Sequence, residues 1–207
     1  MSLADQAALA PPENFAMVWK GIYRSGYPSK RNLTFLRTLG LRSILFLCPE
    51  DYPDSHLGFL EECGIQLLQF GVVGNKEPFD EIPEDVLRAA LDAVLDQTNQ
   101  PILIHCNQGK HRTGCLVGCL RKVQRWSLVA IFEEYRRFAG SKARVVDQHF
   151  IERFTFDDGS SAGADEGAGG EEDDGADAVA ESGTAARGGG GKHAAAEAAE
   201  DEAVAVL

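Results

Sequence analysis

Cys106 and Arg112 stand six positions apart in the segment HCNQGKHRTG, residues 105–114. A cysteine attacks as its thiolate, and the electropositive N-terminus of a helix is a setting that produces one. The planar fork of an arginine holds two oxygens of a transferring phosphoryl group. Together the pair describes covalent phosphoryl transfer through a phosphocysteine. Thr113 is placed to give its hydroxyl to the sulfur as phosphocysteine breaks down. His105 reads as an orienter of the loop rather than as a base. Gly109 permits a tight backbone path, so that the N–H groups of Asn107, Gln108, Gly109, Lys110, His111 and Arg112 form a nest for phosphate oxygens. The sequence G-x-x-x-x-G-K-[ST] is absent from this segment, which argues against nucleoside triphosphate hydrolysis by that route.

Such a loop needs a strand before it and a helix behind it. PILIH, residues 101–105, is a short apolar strand, and CLVGCLRKVQRW follows the loop as a helix. Ligands of open α/β sheets bind at this kind of junction. Upstream, residues 15–28 predict one or two edge strands, and Ser29 caps a helix that runs to about Leu39 and stops at Gly40. A buried strand is expected at Ser43–Leu47, a helix at Asp54–Cys63 and a strand along the apolar run Ile65–Val73. Pro83 opens a helix whose Leu87, Ala90, Leu91 and Val94 recur at three-to-four spacing. Further helices are expected at about 112–125, 127–139 and 147–155. The alternation predicts an α/β domain whose central, mostly parallel sheet is flanked by helices.

All 17 aromatic residues of the 207-residue chain lie at or before Phe156, whereas residues 157–207 hold 14 of its 32 acidic residues and only two of its 20 Lys and Arg. Residues 1–156 are therefore formally neutral, and the net charge of −12 belongs to the tail. The expected organisation is a flexible leader over 1–14, one catalytic domain over 15–156 and a disordered Gly/Ala/acidic tail over 157–207, which has too little apolar surface to offset the entropy of ordering. A neutral domain with an acidic tail argues against nucleic-acid binding, and no apolar stretch is long enough for a membrane span. The five cysteines form no paired CxxC set, so neither a metal nor another cofactor is expected, and reduced thiols point to cytoplasm or nucleus.

The chain resembles a known family. HCNQGKHRTG matches the signature H-C-x5-R-[ST] of the cysteine-dependent tyrosine and dual-specificity phosphatases. GNKEPF at 74–79, CNQGKHRTGCLVGCLRK and EEYRRFAGSKARVVDQHFIERF resemble more narrowly the plant and fungal atypical dual-specificity phosphatases. The resemblance spans about 15–156 and implies the three-layer cysteine-phosphatase fold. It also implies an inositol pyrophosphate phosphatase that removes the β-phosphate of the 5-position diphosphate, with Cys106 as nucleophile and Arg112 as transition-state stabiliser. Lys76, Lys110 and His111 read as substrate-binding, because a local cluster of cations in a neutral domain suits a polyanionic small molecule, and Asn75 beside Lys76 is a further substrate-binding candidate. Solvated surface lysines are the plainer alternative. Counting back to the usual position of the general acid reaches Gly74 and Asn75, not a carboxylate, so Glu77 and Asp80 are the nearest candidates. The other readings are a protein tyrosine or dual-specificity phosphatase acting on phosphoproteins, and a catalytically silent phosphate-binding module.

Several other residues read first as packing. Cys115 and Cys119, four apart on one helix face, are core, as are Trp126, Phe132, Tyr135 and Phe138. Cys48 is either a packing cysteine or one that approaches Cys106. Arg136, Arg137 and the run 142–144 read as solvated surface, with substrate contact as the alternative.

Overall fold

The computed structural model describes residues 9–72 and 83–156. Two strands, β1 (Ala16–Trp19) and β2 (Ile22–Ser25), pair antiparallel. A 3-10 turn at Lys30–Asn32 leads into the short helix α1 (Leu33–Arg37), then β3 (Ser43–Phe46), α2 (Asp54–Cys63) and β4 (Gln66–Gln69). The chain continues through α3 (Glu84–Leu95), β5 (Ile102–His105), α4 (His111–Val123), α5 (Leu128–Ala139) and α6 (Val145–Arg153). The strands form one sheet in the order β1-β2-β5-β3-β4, in which only β1 runs antiparallel. Helices flank this sheet, giving the expected three-layer α/β architecture.

The positions of β3 and β5 explain their composition. Both are buried along their whole length, and a strand covered on both faces has no polar alternation to display. Helix α3 buries Leu87, Ala90, Leu91 and Val94, the positions that its period selects. Helix α4 is buried from Thr113 to Arg121 because β5, α3, α5 and α6 all pack around it. Cys115 and Cys119 are fully covered there, and burial pushes both thiols up from their ordinary range.

Several expectations change. Residues 9–14 are not a loose leader: Asn32 Nδ2 donates to the carbonyls of Ala10 and Pro11 at 2.9 and 3.1 Å, and Gly26 N donates to Glu13 O at 2.7 Å. The helix expected from Ser29 to Leu39 is instead a 3-10 turn plus five helical residues. Asn32, nearly inaccessible, takes bonds from Ser29 N and Oγ and so spends its carboxamide on the turn and on the N-terminal segment. Strand β2 lies inside the sheet, because its other edge pairs with β5. Strand β4 ends at Gln69, where its partner β3 also runs out. Trp126 is 42% exposed and carries the Arg121 guanidinium on its ring, 4.1 Å from the centroid, rather than filling the core.

Candidate active site

Three parallel strands end together. Ser25 of β2, Phe46 of β3 and His105 of β5 are aligned in register, so Gly26, Leu47 and Cys106 leave the sheet at one edge. Cys106 therefore sits at the carboxyl end of the central strand, 4% exposed, with the N-terminus of α4 directly after the loop. This is the strand-to-helix junction that the motif requires.

The loop is shaped from outside. Asn107 O accepts from Tyr27 N at 2.8 Å, Gln108 O accepts from Asn14 Nδ2 at 2.8 Å, and Gly109 O accepts from Arg24 Nη2 at 2.6 Å. In a trans peptide the N–H points away from the C=O. Holding these three carbonyls outward thus turns the amides of Gln108, Gly109 and Lys110 to the opposite side, the arrangement of an anion nest. Gly109 has φ +69°, and a Cβ there would meet the backbone of Ser25 and Gly26 at 2.5 Å, so the close approach of loop to strand admits no side chain.

His105 is fully buried under the loop. Its Nε2 lies 3.3 Å from Tyr52 Oη and its Nδ1 lies 3.3 Å from Cys106 O, inside a cluster of rings formed with Tyr27 and Phe46. Burial lowers its pKa to about 4, which leaves it neutral at pH 7 and suits it to orienting the loop. Cys48, also buried, gives its thiol hydrogen to Asn107 Oδ1 at 3.3 Å, and burial pushes its pKa up to about 11.

The remaining loop side chains take separate directions. Arg112 donates through Nη1 to Val72 O at 3.2 Å and Leu47 O at 3.5 Å, which anchors the guanidinium beside the exits of β3 and β4. Thr113 Oγ1 is buried without a hydrogen-bond partner among the described residues. Lys110 lies 3.8 Å from Glu13, so the N-terminal segment supplies a counter-charge to the loop. His111 places Nδ1 2.8 Å from Oδ2 of Asp147, a buried α6 carboxylate that also accepts from Tyr135 Oη at 2.5 Å. Asn107 and Gln108 are exposed at the rim. Asn75, Lys76, Glu77 and Asp80 fall outside the described residues. Arg24, Glu13, Asn14 and Asp147 escaped the sequence reading. Only Arg24 carried a local signal, as a charged residue within the strand IYRS next to the turn residue Gly26.

Known proteins resemble this chain over most of its length. A model described as the tyrosine phosphatase family matches residues 9–164. The chain belongs to the tyrosine phosphatase family. As a member of that family it is a cysteine-dependent phosphatase. This phosphatase is 60% identical over 151 residues to the inositol diphosphatase DSP1 of Oryza sativa subsp. japonica, covering 73% of the present chain and 68% of the rice protein. It is 58% identical over 149 residues to the inositol diphosphatase SIW14 of Saccharomyces cerevisiae, covering 72% of this chain and 53% of the yeast protein. The crystal structure of the core catalytic domain of SIW14 in complex with citrate superposes with a TM-score of 0.69 at 55% identity. That match covers 73% of this phosphatase and 90% of the yeast domain.

Proposed function

We propose that this phosphatase hydrolyses an inositol pyrophosphate, removing the β-phosphate of a 5-position diphosphate through a phosphocysteine. The observation that carries the substrate class is its identity, near 60%, to relatives named inositol diphosphatases. The loop supplies a matching mechanism. Cys106 Sγ attacks the β-phosphorus, an S–P bond forms, the anhydride P–O bond breaks, and its electron pair leaves with the α-phosphate of the inositol. The outward-held carbonyls leave the loop amides to receive the equatorial oxygens, and Arg112, anchored at Nη1, offers its fork to the same group. Water then attacks phosphorus and releases inorganic phosphate, while the sulfur departs as thiolate. Thr113 Oγ1, buried and without a partner among the described residues, is suited to stabilise that thiolate.

A phosphoanhydride expels a phosphate oxygen, a better leaving group than the alkoxide of a phosphoserine, so general acid assistance matters less. We expect Glu77→Gln and Asp80→Asn each to leave diphosphate turnover within about threefold of wild type, far short of the ~100-fold or greater loss from removing a working general acid. A large loss in either variant transfers the acid role to that residue. The substrate assignment is tested by comparing kcat/KM on the 5-diphosphate of inositol pentakisphosphate and on a phosphotyrosine peptide, with Cys106→Ser as the blank. A preference for the peptide would replace the proposal with protein tyrosine phosphatase activity.

A further inference from the structure

Arg24 of β2 is 1% exposed, and its guanidinium lies 3.7 Å from the centroid of the Phe138 ring. Nη2 donates to Gly109 O at 2.6 Å. Nε and Nη1, equally buried, have no hydrogen-bond partner among the described residues. No carboxylate among the described residues forms an ion pair with this cation. The acid whose charge it feels most, Glu134 of α5, is committed to Arg121 of α4 through bonds of 2.7 and 2.9 Å. Arg121 itself and Arg137 of α5 oppose the charge on Arg24, and burial opposes it most, lowering the pKa to about 10, still charged at pH 7.

An unpaired buried cation is costly, and removing the charge from such a site with an apolar side chain of similar volume is often neutral or stabilising. Cys106, the sulfur at the mouth of the loop that Arg24 touches, also favours this cation. We propose that Arg24 is a positioning residue of the phosphate loop: it holds the Gly109 carbonyl outward, and its buried charge favours both the Cys106 thiolate and a bound phosphoryl dianion. The charge that the described residues leave without an ion pair is thereby matched by the anion that the loop receives. The proposal rests on the reading of Cys106 as nucleophile given above.

The test uses full-length protein carrying Arg24→Met, which keeps the volume and removes the charge, and Arg24→Lys, which keeps the charge and loses the fork. Three quantities are read: the pH profile of Cys106 alkylation by iodoacetamide, the affinity for inorganic phosphate by calorimetry, and Tm. In Arg24→Met the alkylation profile moves to higher pH and phosphate binds about tenfold more weakly, while Tm stays level or rises. In Arg24→Lys the profile stays near that of wild type while phosphate affinity falls, because the Gly109 bond is lost. A wild-type profile and wild-type phosphate affinity in Arg24→Met overturn the proposal, whatever happens to Tm. If Arg24→Met does not fold, wild-type phosphate affinity in Arg24→Lys overturns it. A different result, iodoacetamide failing to select Cys106 over the partly exposed Cys63 in the unaltered protein, would instead sink the reading of the site.

Discussion

His105 shows how one buried residue makes the loop sensitive to acid. Its ring sits among Tyr27, Phe46 and Tyr52 and is fully covered, so the folded protein resists protonating it until about pH 4. An unfolded chain takes up that proton near the ordinary histidine pKa of about 6.5. Because the folded pKa is the lower of the two, the unfolded state binds more protons as pH falls through this window. Stability is therefore lost between about pH 6.5 and about pH 4, with no further loss below it. From pH 7 to pH 5 the residue should account for roughly 2 kcal/mol of lost stability. Urea unfolding of wild type and His105→Gln at both pH values checks this, since the variant should lose less stability by about that amount. Parallel losses in the two proteins would mean that His105 is not held neutral.

At the scale of elements, the orientation of the loop depends on how closely α4 meets its neighbours. Gly118 faces Ile151 of α6, where a Cβ would come within 2.6 Å of Cδ1. The contact joins α4 to α6, and α6 also carries Asp147, to which His111 is bound. Gly118→Ala should destabilise by about 2 kcal/mol through overpacking, visible as a drop in Tm. Adding Ile151→Ala removes the colliding atoms, so the double variant should lose less than the sum of the two single changes. Strict additivity would show that the helices do not meet as described. The same contacts explain why a sequence reading reaches α4 but not its surroundings. Period and apolarity mark a helix, whereas the close approach of α6 to Gly118 is visible only once both helices are in place.

On the scale of the whole molecule, charge is divided unevenly along the chain. Residues 157–207 carry 14 acidic and two basic residues, and residues 1–156 balance 18 against 18. We expect a chain ending at Asp158 to keep its Tm and its kcat/KM at 0.15 M salt, where the Debye length is about 8 Å. At low salt, repulsion between the acidic segment and a polyanionic substrate reaches further, and the shortened chain should show a modestly faster on-rate. Loss of folded protein on this truncation would assign residues 159–207 a structural part. The features legible along the chain are contiguous: the strand before the loop, the tight glycine, the six-position step from Cys106 to Arg112 and the helix that follows. These depend on local spacing and local backbone preference, so they can be read along the chain. Tertiary structure alone decided what holds that loop in shape. Arg24, Asn14 and Asp147 lie 85, 94 and 36 positions from the groups they bind. No periodicity or motif links residues so far apart, and the sheet order that places β2 beside β5 is what brings Arg24 under Gly109.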